Sequence, residues 1–496
     1  MSEVVRAVHA LDRRRLLALL SIAPWAARCS PRSAQPVQST PLSSQPSSTP
    51  PPIDRDARAR PSPTSRADVL VIGAGIAGLR AAEILRESGL DAVVLEARDR
   101  LGGRVHSVRH NGVTLEMGAS LVRDTAFNPL VERARGWGID VRPADGSLAV
   151  RDGEGHEFLS TRRARWMDTV QRALAQARRT LAASEDRPLG EALRQQLALQ
   201  HRSEIERQGL LWTIANEIEL RYGASIDQLS LAHFDDEAAA PSNDGFVTAG
   251  LSSIVERLAA GIRVERGFTV QRIAYANDGV EVEGPEASWR ASAVIVTVPH
   301  AVLAAEAIRF EPALPTAKRD AIERLQTGAV SKHFIECASL FWRPRDERLG
   351  RMVPESEHGR WTLFEDLSTH FRDKPVLCAL HAGPHARALD AQPETAVAEG
   401  AQRALRSMYG EALTAHSVVA RSRWSDDPHA RGAFSYLGPH ATLSDRDALA
   451  SPVGSALFFA GEATSRGYAA SMRGAYESGE RAARELLTAR RARRTP

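Results

Sequence analysis

The chain has almost no cysteine: Cys29, Cys337 and Cys378 are the only ones in 496 residues. Three cysteines provide no disulfide framework, so the fold has to be held by packing. Lysine is equally scarce. Of 64 basic residues only Lys318, Lys332 and Lys374 are lysines, so scattered arginines carry little functional meaning while each lysine stands out. The net charge of +3 is small for this length and gives no support to nucleic-acid binding. No Ser/His/Asp constellation for nucleophilic catalysis is present, and no residues are assigned to a metal.

The N-terminus has the form of an export signal. Arg13-Arg14-Arg15 is a charged region, Leu16–Ala27 is a short apolar region, and Ala26 and Ala27 lie near a possible cleavage point. An apolar run of that length is well short of the ~20 residues of a spanning helix. Asp12-Arg-Arg-Arg-Leu-Leu resembles a twin-arginine signal, which suits a protein that takes up a cofactor and folds before export to the periplasm or beyond. A disordered basic leader in a cytoplasmic protein is the alternative. Cys29 is a candidate lipid attachment site, with Arg28 a poor neighbour for one. Residues 31–66 are rich in Ser, Pro and Gln and are expected to form a disordered linker.

Ala67–Val122 carries the strongest pattern. Val69–Ile72 is an apolar run of the kind a buried parallel strand needs. Gly73, Gly75 and Gly78 follow as G-x-G-x-x-G. The first allows a tight turn, the second lets a pyrophosphate approach the backbone, and the third lets helix and strand pack closely. Ile76–Ser88 continues as an amphipathic helix whose N-terminal amides favour a phosphate. Ala92–Leu95 returns as a second strand, and Glu96 arrives about 20 residues on, where a carboxylate can accept both hydrogens of a ribose diol. The unit predicts a bound dinucleotide. Arg98, Arg100, Gly102, Gly103 and Arg104 then form E-x-R-x-R-L-G-G-R, a second close backbone approach with an arginine able to meet phosphate charge. Glu116, Gly118 and Ala119 follow in a further short segment.

These segments resemble the flavin amine oxidase family of monoamine oxidases, polyamine oxidases and histone lysine demethylases. The likeness recurs in order along the chain: Gly245–Val270, Ala293–Leu303, Gly328-x-x-x-Lys332 with Phe341-Trp342, Arg423-Trp424 through Asp427-Pro428 to Tyr436, Phe458–Glu462 and Gly474–Ala483. It implies FAD as the cofactor, held by Gly73, Gly75, Gly78, Glu96, Arg98, Gly103, Arg104, Gly118 and Ala119. Val270 would contact the adenine side, Gly461 and Glu462 the ribityl or pyrophosphate region, and Met472 the pyrimidine edge through its amide. Ala433 stands where monoamine oxidases carry a flavin-linked cysteine, so the FAD is expected to be noncovalent.

The resemblance also implies a reaction. A C–H bond beside an amine nitrogen loses hydride to flavin N5, the imine hydrolyses to an aldehyde or ketone, and oxygen or a protein electron acceptor reoxidises the flavin. Lys332 matches the lysine that holds a water against N5, and Trp424 the tryptophan beside the flavin ring. Phe434 matches one wall of an aromatic cage whose other wall maps to Ser471, leaving the cage half-built. Glu217, Glu219, Asp235, Asp236 and Glu237 resemble an acidic segment that can face a cationic substrate, with Glu219 and Asp235 as candidate contacts; a solvated face is the alternative. L-amino-acid oxidases place a carboxylate-binding arginine just after the Gly-Ala pair. Here those positions are Ser120 and Leu121, with Arg123 close by but out of register. A related flavoprotein acting on a non-amine substrate, and a flavin-binding module without turnover, stay open as alternatives.

The expected fold class is α/β. Residues 67–122, 245–310 and 452–490 would build a discontinuous Rossmann-like FAD-binding domain. It would interleave with an α+β substrate-binding domain from residues 123–244 and 311–451. The first insert reads as mostly helical, over Arg165–Ala183, Pro188–Gln200 and Ser203–Arg221; the second mixes helix (Thr316–Leu325, Pro393–Met408) with strand (Val376–Leu380).

Overall fold

Val69–Ile72 is a strand whose four residues are all buried, so both of its faces must be covered. Val69 and Val71 point into one core and Leu70 and Ile72 into another. This strand is central in a five-stranded parallel sheet, in the order Arg263–Arg266, Ala92–Glu96, Val69–Ile72, Ala293–Val296 and Leu457–Phe459. The helices Ile76–Glu87, Ser252–Ala259 and Met472–Arg494 cover one face. A second sheet covers the other, with strands Arg272–Ala276, Gly279–Glu283 and Ser288–Ala291 at its centre. The structure, a computed structural model, describes residues 64–494 apart from 145–146, 182–184, 237–243, 344–347, 372–373 and 414. The leader, Cys29, most of the linker and Glu237 lie outside the described residues. The expected linker ends sooner than residue 66, because Thr64–Arg66 pairs as a parallel edge strand with Ser288–Arg290.

A seven-stranded sheet runs in the order His416–Arg421, Val330–Cys337, Val376–Ala382, Leu363–Asp366, Arg348–Arg351, Leu148–Arg151 and Glu157–Phe158. Period-two alternation again divides its side chains. Phe334, Cys378 and Leu380 face the helices Ser160–Arg179, Leu189–Leu197 and Glu204–Thr213. Ile335, Leu377 and Ala379 face the helix Glu394–Tyr409. The first insert is therefore less helical than its pattern suggested. Leu148–Arg151 is too short to register as a strand by itself and gains its place through parallel pairing with Arg348–Arg351. The helix expected over Ser203–Arg221 also changes pitch, passing through a π turn at Ile214–Glu219.

Close packing at the parallel sheet depends on two glycines. A Cβ on Gly78 would lie 2.0 Å from the Gly73 carbonyl oxygen, and one on Gly479 would lie 2.2 Å from that of Ala77. The first sets the helix against its strand, the second lets the helices Ile76–Glu87 and Met472–Arg494 meet backbone to backbone. Gly479→Ala is expected to cost roughly 1–3 kcal/mol, read from the denaturant midpoint. Gly136→Ala, with nothing within 4 Å of the added atom, should stay within about 0.5 kcal/mol of the parent.

Lys318 is buried beneath the helix Leu443–Ala450. Its ammonium donates to the Ala448 and Leu449 carbonyls at 2.9 and 2.7 Å and lies 3.9 Å from the centre of the Phe459 ring. Burial, reinforced by the charge of Arg481, lowers its pKa to about 7. Between that value and the ordinary 10.5 the unfolded chain carries the proton and the folded chain does not, so stability rises with pH across the window. Lys318→Met should flatten that rise in melting temperature; an unchanged slope would assign it to another group.

Candidate active site

A cavity of about 630 Å³ opens where the C-terminal ends of Val69–Ile72 and Ala92–Glu96 meet the seven-stranded sheet, the place where open α/β sheets bind ligands. Gly73, Gly75, Glu96, Arg98, Gly103, Arg104 and Val270 all line it. Gly78 does not line it and instead packs helix against strand. The two glycine turns lie back to back: the Gly102 N–H donates to the Ala74 oxygen at 2.9 Å, and a Cβ on Gly103 would touch the Gly75 Cα at 3.6 Å. A Cβ on Gly75 would meet nothing within 4 Å, so the backbone ahead of the helix Ile76–Glu87 is bare toward the cavity. That is the cradle a pyrophosphate requires.

Glu96 accepts from the Ala74 and Arg98 backbone N–H groups at 2.7 and 2.9 Å. A carboxylate has about four lone-pair sites, so each oxygen keeps capacity for a ribose hydroxyl. The Arg98 guanidinium pairs with Asp427 at 2.7 Å and lies 3.9 Å from the Glu96 carboxylate. These residues fit the adenosine half of FAD, with Val270 beside them.

At the other end stands Lys332, on the strand Val330–Cys337. Its Nζ donates to the carbonyls of Glu116 at 2.8 Å and Gly118 at 2.5 Å and to the Ser120 hydroxyl. An ammonium has three hydrogens, and three converging oxygens take them all. Gly118 is forced here, since a Cβ would lie 1.8 Å from the Arg104 oxygen and 3.2 Å from the Trp424 ring. Ala119 donates its N–H to the same Arg104 oxygen at 3.2 Å. The Trp424 indole N–H donates to the Met117 carbonyl at 2.7 Å, which fixes the ring against this segment.

Glu462 is buried, and its carboxylate binds the Arg104 guanidinium at 2.9 Å, the Ser435 hydroxyl at 2.7 Å and the Ala470 N–H at 2.9 Å. Burial would raise its pKa, but the charges of Arg104 and Arg446 and the Ser435 hydroxyl outweigh it and hold the carboxyl below its usual range. Gly461, Phe434 and Ala433 line the same wall. So do Ser471 and Met472, at the start of the helix Met472–Arg494. The Ser471 hydroxyl is engaged locally, donating to the Tyr468 carbonyl and accepting from the Gly474 N–H, so it caps the helix.

Two candidate substrate contacts require correction. Asp235 is exposed and paired with Arg178 outside the cavity. Glu219 is buried beside it, accepting from the Ile226 N–H at 3.0 Å with His358 at 2.8 Å on its other oxygen. Neither lines the cavity. Asp235 and Asp236 are taken up in surface pairing and Glu219 in loop anchoring, which sequence spacing does not distinguish from a site. The carboxylates on this wall are instead Glu365, on the strand Leu363–Asp366, and Asp244. Burial pushes the Glu365 carboxyl up in pKa, against the opposing pull of Lys332 and Arg348. No local motif marks Glu365.

The description "flavin containing amine oxidoreductase" belongs to the family model matching residues 76–487. Lysine-specific histone demethylase 1 homolog 2 of Oryza sativa subsp. japonica is 34% identical over 440 residues, covering 85% of this chain but 57% of that protein. The chain thus spans little more than half the length of that relative. Polyamine oxidase 4 of the same organism is 32% identical over 459 residues, covering 88% of this chain and 90% of that protein. A redesigned putrescine oxidase double mutant shares the fold, with a TM-score of 0.68 at 22% identity over 86% of this chain and 100% of that one. The chain belongs to the flavin-containing amine oxidoreductase family.

Proposed function

We propose that this protein oxidises an amine at the carbon next to nitrogen, giving an imine that hydrolyses to an aldehyde or ketone. Noncovalently bound FAD would supply the hydride acceptor, with oxygen or another acceptor restoring it. The observation that carries the reading is the joint lining of one cavity by the dinucleotide cradle, Lys332, Trp424 and Phe434. Glycines and Glu96 bind the adenosine and pyrophosphate portions. Lys332 places a fixed positive charge where electron density accumulates, and it holds the Glu116–Ser120 backbone as one wall. Trp424 and Phe434 orient an uncharged amine and exclude water. Ala433 offers no thiol for a covalent link.

An alkylammonium has no nitrogen lone pair, so it has to lose a proton before it can react. Glu365 is suited to accept that proton, because its carboxylate lies on the cavity wall with its pKa raised by burial. The charged leader Arg13–Arg15 with its apolar run supports export of the folded, cofactor-loaded protein.

Anaerobic mixing of the FAD-loaded protein with mono-, di- and polyamines should bleach the flavin's visible absorption with at least one class. Lys332→Met should keep FAD and slow that bleaching at least roughly tenfold. A flavin that bleaches with dithionite but with no amine would sink the proposal. Glu365→Gln should lower the bleaching rate near neutral pH and remove its rise with pH through the carboxyl's titration. An identical pH profile in the variant would exclude Glu365 as the proton acceptor.

A further inference from the structure

Among the charged side chains on the cavity wall, most are spoken for. Arg98 pairs with Asp427, Arg104 with Glu462, Arg473 with Asp124, and Lys332 with three oxygens. Arg123, Arg221 and Arg431 differ. All three line the cavity, and none makes an ion pair or a side-chain hydrogen bond among the described residues; Arg221 lies over the Tyr222 ring at 5.8 Å, and Arg123 is the one next to it. Arg123 keeps substantial accessible area and is among the residues lining the cavity. Its removal from bulk water lowers its pKa, Asp244 opposing and Arg221 adding to the shift, yet a guanidinium so perturbed stays charged at neutral pH. Among the described residues, the charges that act on Arg123 are the carboxylate of Asp244 and the guanidinium of Arg221.

The backbone that carries Arg123 is fixed on every side. Val122 exchanges two hydrogen bonds with Gly245, both at 2.8 Å. The Arg123 carbonyl accepts from the Asn128 side-chain amide at 2.9 Å, and Asp124, at a left-handed φ of 54°, holds Arg473 at 2.6 Å. A guanidinium with no ion-pair or hydrogen-bond partner among the described residues, lining a cavity on a backbone already immobilised, is arranged to receive a ligand rather than to stabilise the fold.

We propose that Arg123, supported by Arg221, binds an anionic group of the substrate, so that the amine oxidised here carries a carboxylate away from its reacting end. The planar fork of an arginine matches a carboxylate through two parallel N–H···O bonds. A di- or polyamine fits this corner less well, because its second ammonium would face two guanidinium groups. The proposal rests on the amine-oxidation reading only for the reacting end of the ligand; the anion pocket itself does not.

The test uses the FAD-loaded protein and two arms. In the first, butyrate and butyramide are titrated while the flavin absorption spectrum is followed. Butyrate should perturb the spectrum with a Kd well below that of butyramide, and Arg123→Gln should raise the butyrate Kd roughly 10- to 100-fold with FAD content unchanged. Equal butyrate affinity in parent and variant, no butyrate binding, or loss of FAD from the variant would overturn the proposal. In the second, 4-aminobutyrate, butylamine and putrescine are compared as anaerobic reductants. 4-Aminobutyrate should bleach the parent fastest, and Arg123→Glu should reverse its order with putrescine; putrescine as the best reductant of the parent would overturn it. If no amine bleaches the flavin while butyrate binding still depends on Arg123, amine oxidation falls and the anion pocket stands.

Discussion

The carboxylate of Glu462 joins stretches of chain that lie far apart in sequence. It binds Arg104 from the second glycine turn, Ser435 from the strand Ser435–Leu437 and the Ala470 N–H just before the long C-terminal helix. Arg104 in turn donates to the Ala433 carbonyl at 2.8 Å. A charge buried this deeply is tolerable only when its acceptor sites are filled, and here they are filled by protein. Removing one partner would leave the others without compensation, so the wall beside Phe434 and Gly461 holds its shape as a unit. The cavity is preorganised for the same reason.

Lys332 makes a second such junction, between the seven-stranded sheet and the segment Glu116–Ser120. Its three acceptors explain why this position is lysine in a chain that otherwise uses arginine. A planar guanidinium presents a fork, whereas three oxygens converging on one point call for a tetrahedral ammonium. The resemblance to the family pointed to this lysine through an expected water; in the structure its three hydrogens go to Glu116, Gly118 and Ser120, an anchoring role that no motif expresses.

The parallel sheet and its glycine turns were legible in the sequence because their determinants are local. Val69–Ile72, Gly73, Gly75, Gly78 and Glu96 each state a backbone requirement within one short stretch. Lys332, Trp424, Phe434 and Glu462 were legible only through family likeness, since nothing in their neighbours says that they share a wall. Arg123 and Glu365 were not legible as partners of that wall. Which side of a strand or loop faces a cavity depends on pairings such as Val122 with Gly245 and Leu363 with Leu380, which join residues remote in sequence. Glu219 and Asp235 lie outside the residues lining the cavity, one anchoring a loop and the other paired at the surface, and an acidic run in sequence does not separate these roles from a substrate contact.

The order of strands in the parallel sheet has a consequence for how the protein comes into being. The central strand Val69–Ile72 is made early, yet its neighbour Ala293–Val296 emerges much later, and Leu457–Phe459 later still. Contacts this remote in sequence slow folding, because loop closure has to be completed before the pairing rewards it. Until Ala293–Val296 emerges, one edge of this apolar strand has no sheet partner, a state prone to association with other chains. The cofactor cleft, walled by both the first glycine turn and the start of the helix Met472–Arg494, comes together only once that helix has left the ribosome.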